Sequence, residues 1–218
     1  MFRGSAVAVL AAALLARPIP ALAQIPSVPV LQNAFTNPGV TVAANFGTAD
    51  NIRNYGAAAA WAPASGRLQV SAGAGIVDPD EGDTATGLGA RIAVPVRTFR
   101  DETLGVGLFG GAGFAKSEVW EFRFPIGASA AYRRALGTTR AISVHASPFV
   151  LVSTCDCDAL NVSGSALFRI SFGVDVIVMP GLGLTLGYEA GANAKDADAG
   201  PRSGVFGIGV SYAFRRPR

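Results

Sequence analysis

The feature that most limits what this chain can fold into is an alternation of period two that runs through nearly its whole length. Val40, Val42, Ala44 and Phe46 are followed by Tyr55, Ala57, Ala59 and Trp61, then by Leu68, Val70, Ala72, Ala74 and Ile76. The pattern continues through Leu88, Ala90, Ile92, Val94 and Val96, through Leu104, Val106 and Leu108, and through Phe122, Phe124, Ile126, Ala128, Ala130 and Tyr132. Ile142, Val144 and Ala146 come next, then Val162 to Val178 by twos, then Leu182, Leu184, Leu186 and Tyr188. Phe206, Ile208, Val210, Tyr212 and Phe214 complete it. Successive side chains of a strand point to opposite faces, whereas a helix repeats its apolar positions at three and four. The spacing predicts ten strands, at 40–47, 54–62, 67–77, 86–96, 103–114, 122–133, 141–153, 162–178, 182–192 and 204–214, with eight or twelve as alternatives. Most have the length of the roughly 9–11 residues with which a tilted strand crosses a bilayer. The eighth is too long for that, so it either projects beyond the membrane or hides a bulge. Pro148 marks a further bulge in the seventh, where the alternation changes phase.

The opposite face of these strands decides the solvent. It carries Gly73, Gly75, Gly87, Gly89, Gly105, Gly107, Gly127, Gly183, Gly187, Gly207 and Gly209, with Thr41, Ser71, Ser129, Ser163 and Ser165. Only 15% of the residues are charged, well under the ~25% of soluble domains, so this face makes a poor water surface. It suits the inside of a tightly curved barrel, with the Leu, Val, Ile, Phe and Ala row turned to lipid. After the N-terminus no apolar run reaches the ~18 residues of a membrane helix, which excludes a helical membrane protein. A net charge of +3, unclustered, argues against nucleic acid as a partner despite a pI near 9.2. The expected fold is therefore all-β, an antiparallel transmembrane β-barrel, with a soluble secreted β-sandwich as the weakest alternative.

Four segments follow. Residues 1–23, with Arg3, the apolar run Ala6 to Ala16 and Ala21-Leu22-Ala23, have the pattern of a cleaved secretory signal. Residues 24–39 form a periplasmic lead-in, 40–214 the barrel and 215–218 a basic tail. Export permits a disulfide between Cys155 and Cys157, although one intervening residue would strain it. The connections 48–53, 78–85, 115–121, 154–161 and 193–203 are longer or polar and carry net negative charge, mostly from Asp78, Asp80, Glu81, Asp83, Asp156 and Asp158. Residues 63–66 and 179–181 are tight turns, and the side they share holds Arg133, Arg134, Arg140, Arg215, Arg216 and Arg218. Long external loops opposite short periplasmic turns are the plan of outer-membrane barrels. Interface aromatics fall into two belts: Phe46, Tyr55, Phe114, Trp120 and Phe122 beside the long loops, and Trp61, Tyr132, Tyr212 and Phe214 beside the short turns.

With these features the chain resembles the small outer-membrane β-barrel proteins of Gram-negative-type bacteria, the porin-like and opacity-type barrels. The resemblance rests on architecture over nearly the whole mature chain, and on the closing strand Phe206-Ile208-Val210-Tyr212-Phe214, which looks like the family's C-terminal assembly signal. It implies a bacterial outer-membrane location, with outer-membrane lipid and the assembly machinery as partners. The family includes pores, adhesins, structural anchors and a few enzymes, and fold does not choose among them.

The residues that could carry chemistry are few. Arg67, Arg91, Arg123, His145, Arg169, Asp175 and Glu189 are expected to face inward as a lumen polar network, because buried charges need partners. Arginines outnumber acids in this set, so an open pore would favour anions. His145 is the sole histidine. With Ser143 or Ser147 and Glu189 it resembles the catalytic set of an outer-membrane lipid hydrolase or acyltransferase, against which stands the lack of any assured geometry. Asp78-Pro79-Asp80-Glu81-Gly82-Asp83 has oxygen ligands without the spacing of an EF-hand loop, and Cys155-Asp156-Cys157-Asp158 is half a metal site at best. No catalytic, cofactor or metal site is expected. The reading is an integral outer-membrane barrel with a structural or surface-interaction role and at most a narrow pore. Its alternatives are a small-solute, anion-preferring porin and, more remotely, the lipid-modifying enzyme.

Overall fold

A computed structural model describes residues 35–49, 52–80, 82–99, 103–117, 120–158, 161–191 and 204–214. The signal pattern at 1–23, most of the lead-in, Glu81 and the tail 215–218 lie outside the described residues, as do the side chains of Cys155 and Cys157. Ten strands are present: β1 (Gly39–Ala49), β2 (Ile52–Ala62), β3 (Gln69–Pro79), β4 (Ala85–Phe99), β5 (Leu104–Lys116), β6 (Trp120–Ala135), β7 (Ala141–Asp158), β8 (Asn161–Met179), β9 (Leu182–Gly191) and β10 (Val205–Phe214). Each pairs antiparallel with its sequence neighbour, and β1 pairs with β10 from Val40↔Phe214 to Thr48↔Phe206, closing the barrel. Closure leaves no unpaired edge between first and last strand, so backbone N–H and C=O groups are satisfied without water.

The alternation sorts the side chains as expected. Val42, Ile92, Leu108, Ile126, Val144, Phe168, Leu186 and Ile208 stand exposed on the outer face, while Thr41, Arg91, Ser129, His145, Ser171 and Glu189 are buried inside. This is the inverse of a soluble protein, with large apolar side chains outside and polar ones within. Aromatic side chains pair on the outer face near both ends. Phe46 meets Tyr55 at 5.3 Å, and Phe114 meets Trp120 at 5.4 Å and Phe122 at 6.5 Å toward the end opposite the termini. Tyr212 meets Phe214 edge-on at 4.9 Å at the termini end, where Trp61 and Tyr132 are also exposed. Phe206 lies opposite Tyr188, and both are exposed; they extend the belt although the alternation alone hides them in an apolar row.

The strand ends depart from expectation. β7 and β8 pair out to Asp158↔Asn161, so the loop expected at 154–161 shrinks to residues 159–160, and that expected at 48–53 shrinks to 50–51. Hydrogen bonding along a hairpin continues wherever strands can pair, whether or not lipid surrounds them, so polar residues at a strand end do not mark a loop. Two of the five connections expected to be long are thus tight, while the one between β9 and β10, residues 192–204, remains the longest in the barrel. The extra length of β8 has both anticipated sources, a projection together with β7 and a register shift between Ile177 and Met179. Pro148 carries no bulge: β7 stays in register with β8 from Ala141↔Ile177 through Pro148↔Ile170 to Cys155↔Ser163. The apparent change of phase arises because Phe149 and Leu151 are apolar residues pointing inward. A bulge that the pattern concealed lies in β4, between Pro95 and Arg97.

Inward glycines have a specific use here. Gly111 is paired with Arg91, Gly127 with both Phe109 and Phe149, Gly173 with His145 and Gly191 with Arg169. A Cβ at Gly127 would collide with Phe149, and one at Gly173 with the His145 ring. Each bulky inward side chain thus occupies space left by the residue beside it, and the lumen is packed from pairs of unequal size. Gly173→Ala should therefore destabilise the barrel by about 1–3 kcal/mol. Most of that loss should disappear in a His145→Ala background, as measured by urea unfolding of the chain refolded into lipid vesicles.

Candidate functional site

The lumen is the only part of the described structure where charged and hydrogen-bonding side chains converge out of water. In its middle the bulk is contributed from one side. Arg91, Phe109, His145, Phe149, Arg169 and Glu189 come from β4, β5 and β7–β9, whereas β1, β2 and β10 present Ala43, Asn45, Ala58, Ala60, Gly207 and Gly209. Phe109 and Phe149 meet with ring centroids 6.0 Å apart, and the Arg91 guanidinium lies 4.0 Å over the Phe109 ring. Ala93 packs beside them and Leu151 covers the cluster. Arg91, Phe109 and Phe149 are only 3%, 4% and 4% exposed. An aromatic pair plus a cation over one face is a compact filling that adds to simple burial.

Around this plug the charges are compensated locally. Arg169 Nε donates to Glu189 Oε1 at 2.5 Å, both side chains being nearly buried. Arg123 makes a two-pronged contact with Glu121, Nε to Oε1 at 2.7 Å and Nη2 to Oε2 at 2.6 Å. Asp175 accepts a hydrogen bond from Thr185 Oγ1 at 2.6 Å, and its other oxygen lies 3.3 Å from His145 Nδ1. The expected inward set is thus divided into separate pairs. Arg67 is not part of it: it lies exposed in the turn between β2 and β3, where the chain leaves the sheet at Ala62 and re-enters at Gln69. Glu121, assigned to a loop by its polar neighbours, belongs to the lumen. Its place two residues from Arg123 on one strand was the available signal. With Arg67 outside and Glu121 inside, the arginine excess of the lumen is smaller than the sequence suggested. Asn45 and Asn54 are buried on the smaller wall, and their amides make no hydrogen bond to a described group.

The termini end is covered from below. Phe35, four residues before β1, lies against Gly105 and holds the Arg133 guanidinium 4.4 Å from its ring centroid. Thr36 Oγ1 donates to the Gly66 carbonyl at 2.8 Å, fixing this segment to the β2–β3 turn. Beneath Phe35 lies a cavity of about 80 Å³ whose walls include Asn37, Gln69, Arg133, Asp175 and Thr185.

The remaining candidates are not brought into such a site. Asp80 pairs with Arg53 at 3.2 Å in an exposed contact, and Asp78 accepts from Thr84 Oγ1 at 3.3 Å. Among the described residues no group of three metal-ligating side chains occurs. His145 faces Asp175 rather than Glu189, so the hydrolase set weighed as the remote alternative is not assembled with that acid.

A closed antiparallel barrel with an apolar outer belt, two aromatic girdles and a polar interior is the architecture of bacterial outer-membrane proteins, and the described residues of this chain have that architecture. No protein-family model and no curated protein sequence matches it. Solved structures similar to it include a KdgM porin in complex with disordered oligogalacturonate, at 10% identity and a TM-score of 0.45 over 80% of this chain and 99% of that one. A bacterial polysaccharide outer membrane secretin has 10% identity and a TM-score of 0.46 over 83% and 67%. Neisserial surface protein A has 17% identity and a TM-score of 0.39 over 80% and 94%.

The Arg169–Glu189 pair is a direct check on the lumen. Arg169→Met alone should cost about 3–5 kcal/mol by leaving a buried carboxylate uncompensated, whereas Arg169→Met with Glu189→Met should fall close to the parent. Vesicle-based unfolding of the three proteins measures the difference.

Proposed function

We propose that this protein is an integral element of the outer membrane whose lumen is held shut by its own side chains, with a structural or surface-interaction role and at most a narrow pore. The observation that carries this reading is the Arg91–Phe109–Phe149 plug in mid-barrel. A ten-stranded barrel is little wider than the eight-stranded kind that side chains fill, and far from the 16–18 strands that leave an aqueous channel. The termini end faces the periplasm, reached after a secretory signal at 1–23 is removed and the lead-in 24–39 is delivered. The opposite end, with Asp78, Asp80 and Asp83, faces outward. Its partners are outer-membrane lipid around the belt and the assembly machinery that reads the closing strand. No catalytic role is assigned, because the His145 side chain is 1% exposed and a substrate could not reach it.

A second reading, a small-solute porin, is favoured by the buried amides of Asn45 and Asn54 on the wall opposite the plug. Polar groups so placed suit a thin hydrated path more than a dry core. The local pairing of Arg123 and Arg169 with acids leaves little reason for strong anion preference.

Planar-bilayer recording separates the two. The parent protein should be silent or show only small, rare steps, and Phe109→Ala with Phe149→Ala should give larger steady conductance. Large steady steps from the parent would establish the porin instead. Fractionation tests the location: the protein should stay with the outer membrane through a carbonate wash, and recovery in the soluble periplasm would defeat both readings.

A further inference from the structure

The cavity beneath Phe35 stands apart from the mid-barrel plug and belongs to neither reading above. At about 30 Å³ for each water of the liquid, its 80 Å³ has room for about two or three water-sized groups, the size of one hydroxyl-bearing edge of a small polyol or sugar ring. Its charges are already engaged. Asp175 accepts from Thr185 and faces His145 Nδ1, and Arg133 is spread against the Phe35 ring. An anion or a cation entering would therefore meet a site balanced in charge and little inclined toward either. The other polar groups on the wall are neutral: the amides of Asn37 and Gln69 and a ring of serine and threonine hydroxyls. Amides and hydroxyls both donate and accept, which matches the hydroxyl groups of a polyol, themselves donor and acceptor at once. Phe35 adds an aromatic face beside these polar groups, against which C–H groups can pack.

We propose that this mouth cavity receives one edge of a neutral, hydroxyl-rich solute, a polyol or a single sugar unit, with Phe35 as its packing face and the amides of Asn37 and Gln69 as its principal hydrogen-bonding groups. Binding needs access to the mouth only, so it is independent of whether the barrel conducts.

The test is saturation-transfer NMR on the full chain refolded in detergent, titrated separately with glycerol, glucose, acetate and methylammonium. Glycerol or glucose should saturate with a Kd of about millimolar, ahead of both ions. Gln69→Leu should weaken that binding by about three- to tenfold while the protein keeps its barrel circular dichroism. In a Phe35→Trp protein the same titration should change the tryptophan emission, a readout that a merely structural role for Phe35 would not give. Tighter binding of acetate or methylammonium, absence of saturation by either neutral probe, or unchanged binding in folded Gln69→Leu would each overturn the proposal. A silent bilayer recording would leave it untouched, so its failure and that of the pore readings are told apart.

Discussion

The structure depends on one requirement: in hydrocarbon every backbone donor and acceptor must find a partner within the protein. Pairing β1 with β10 meets it, and the consequences propagate inward. A closed sheet of ten strands fixes the circumference. Strict alternation then fixes which side chains share the enclosed space, and a fixed space has to be filled without strain. The placement of glycines, the asymmetry of bulk and the local pairing of charges are all responses to that limited volume.

Charge inside the barrel is handled by proximity. Arg169 and Glu189 come from neighbouring strands, Arg123 and Glu121 from a single one, and Asp175 is held between Thr185 and His145. Arg91 and Arg133 also lie over aromatic rings. Isolated charges in such an environment carry several kcal/mol of desolvation penalty, so short-range compensation is what permits a polar lumen at all. It also removes the long-range field that a row of unpaired arginines would have produced.

Most of the architecture was legible from the chain because strand periodicity is a property of neighbouring residues. Val42 outward and Thr41 inward follow from position alone, and so does the aromatic character of both ends. What was not legible depended on partners distant in sequence. Phe109 and Phe149 look like ordinary strand residues until their pairing with Gly127 shows that they share one space. The choice of Asp175 over Glu189 beside His145 is set by a register between β7 and β8. The places of Arg67 and Glu121 escape the periodicity for the same reason, since the exact point where a strand begins is decided by pairing across the sheet. Phe35 carried no signal at all, because nothing in its surroundings in the chain indicates a barrel mouth to cover.

The matching of inward bulk to inward glycine has a consequence for how such a lumen can vary. The calibre at each level is held jointly by two positions on adjoining strands, neither of which sets it alone. Exchanging the members of a pair would carry the obstruction across the seam to the next strand while leaving the total filling unchanged. The lumen can therefore drift in shape, shifting its widest point around the wall, while its capacity stays constant.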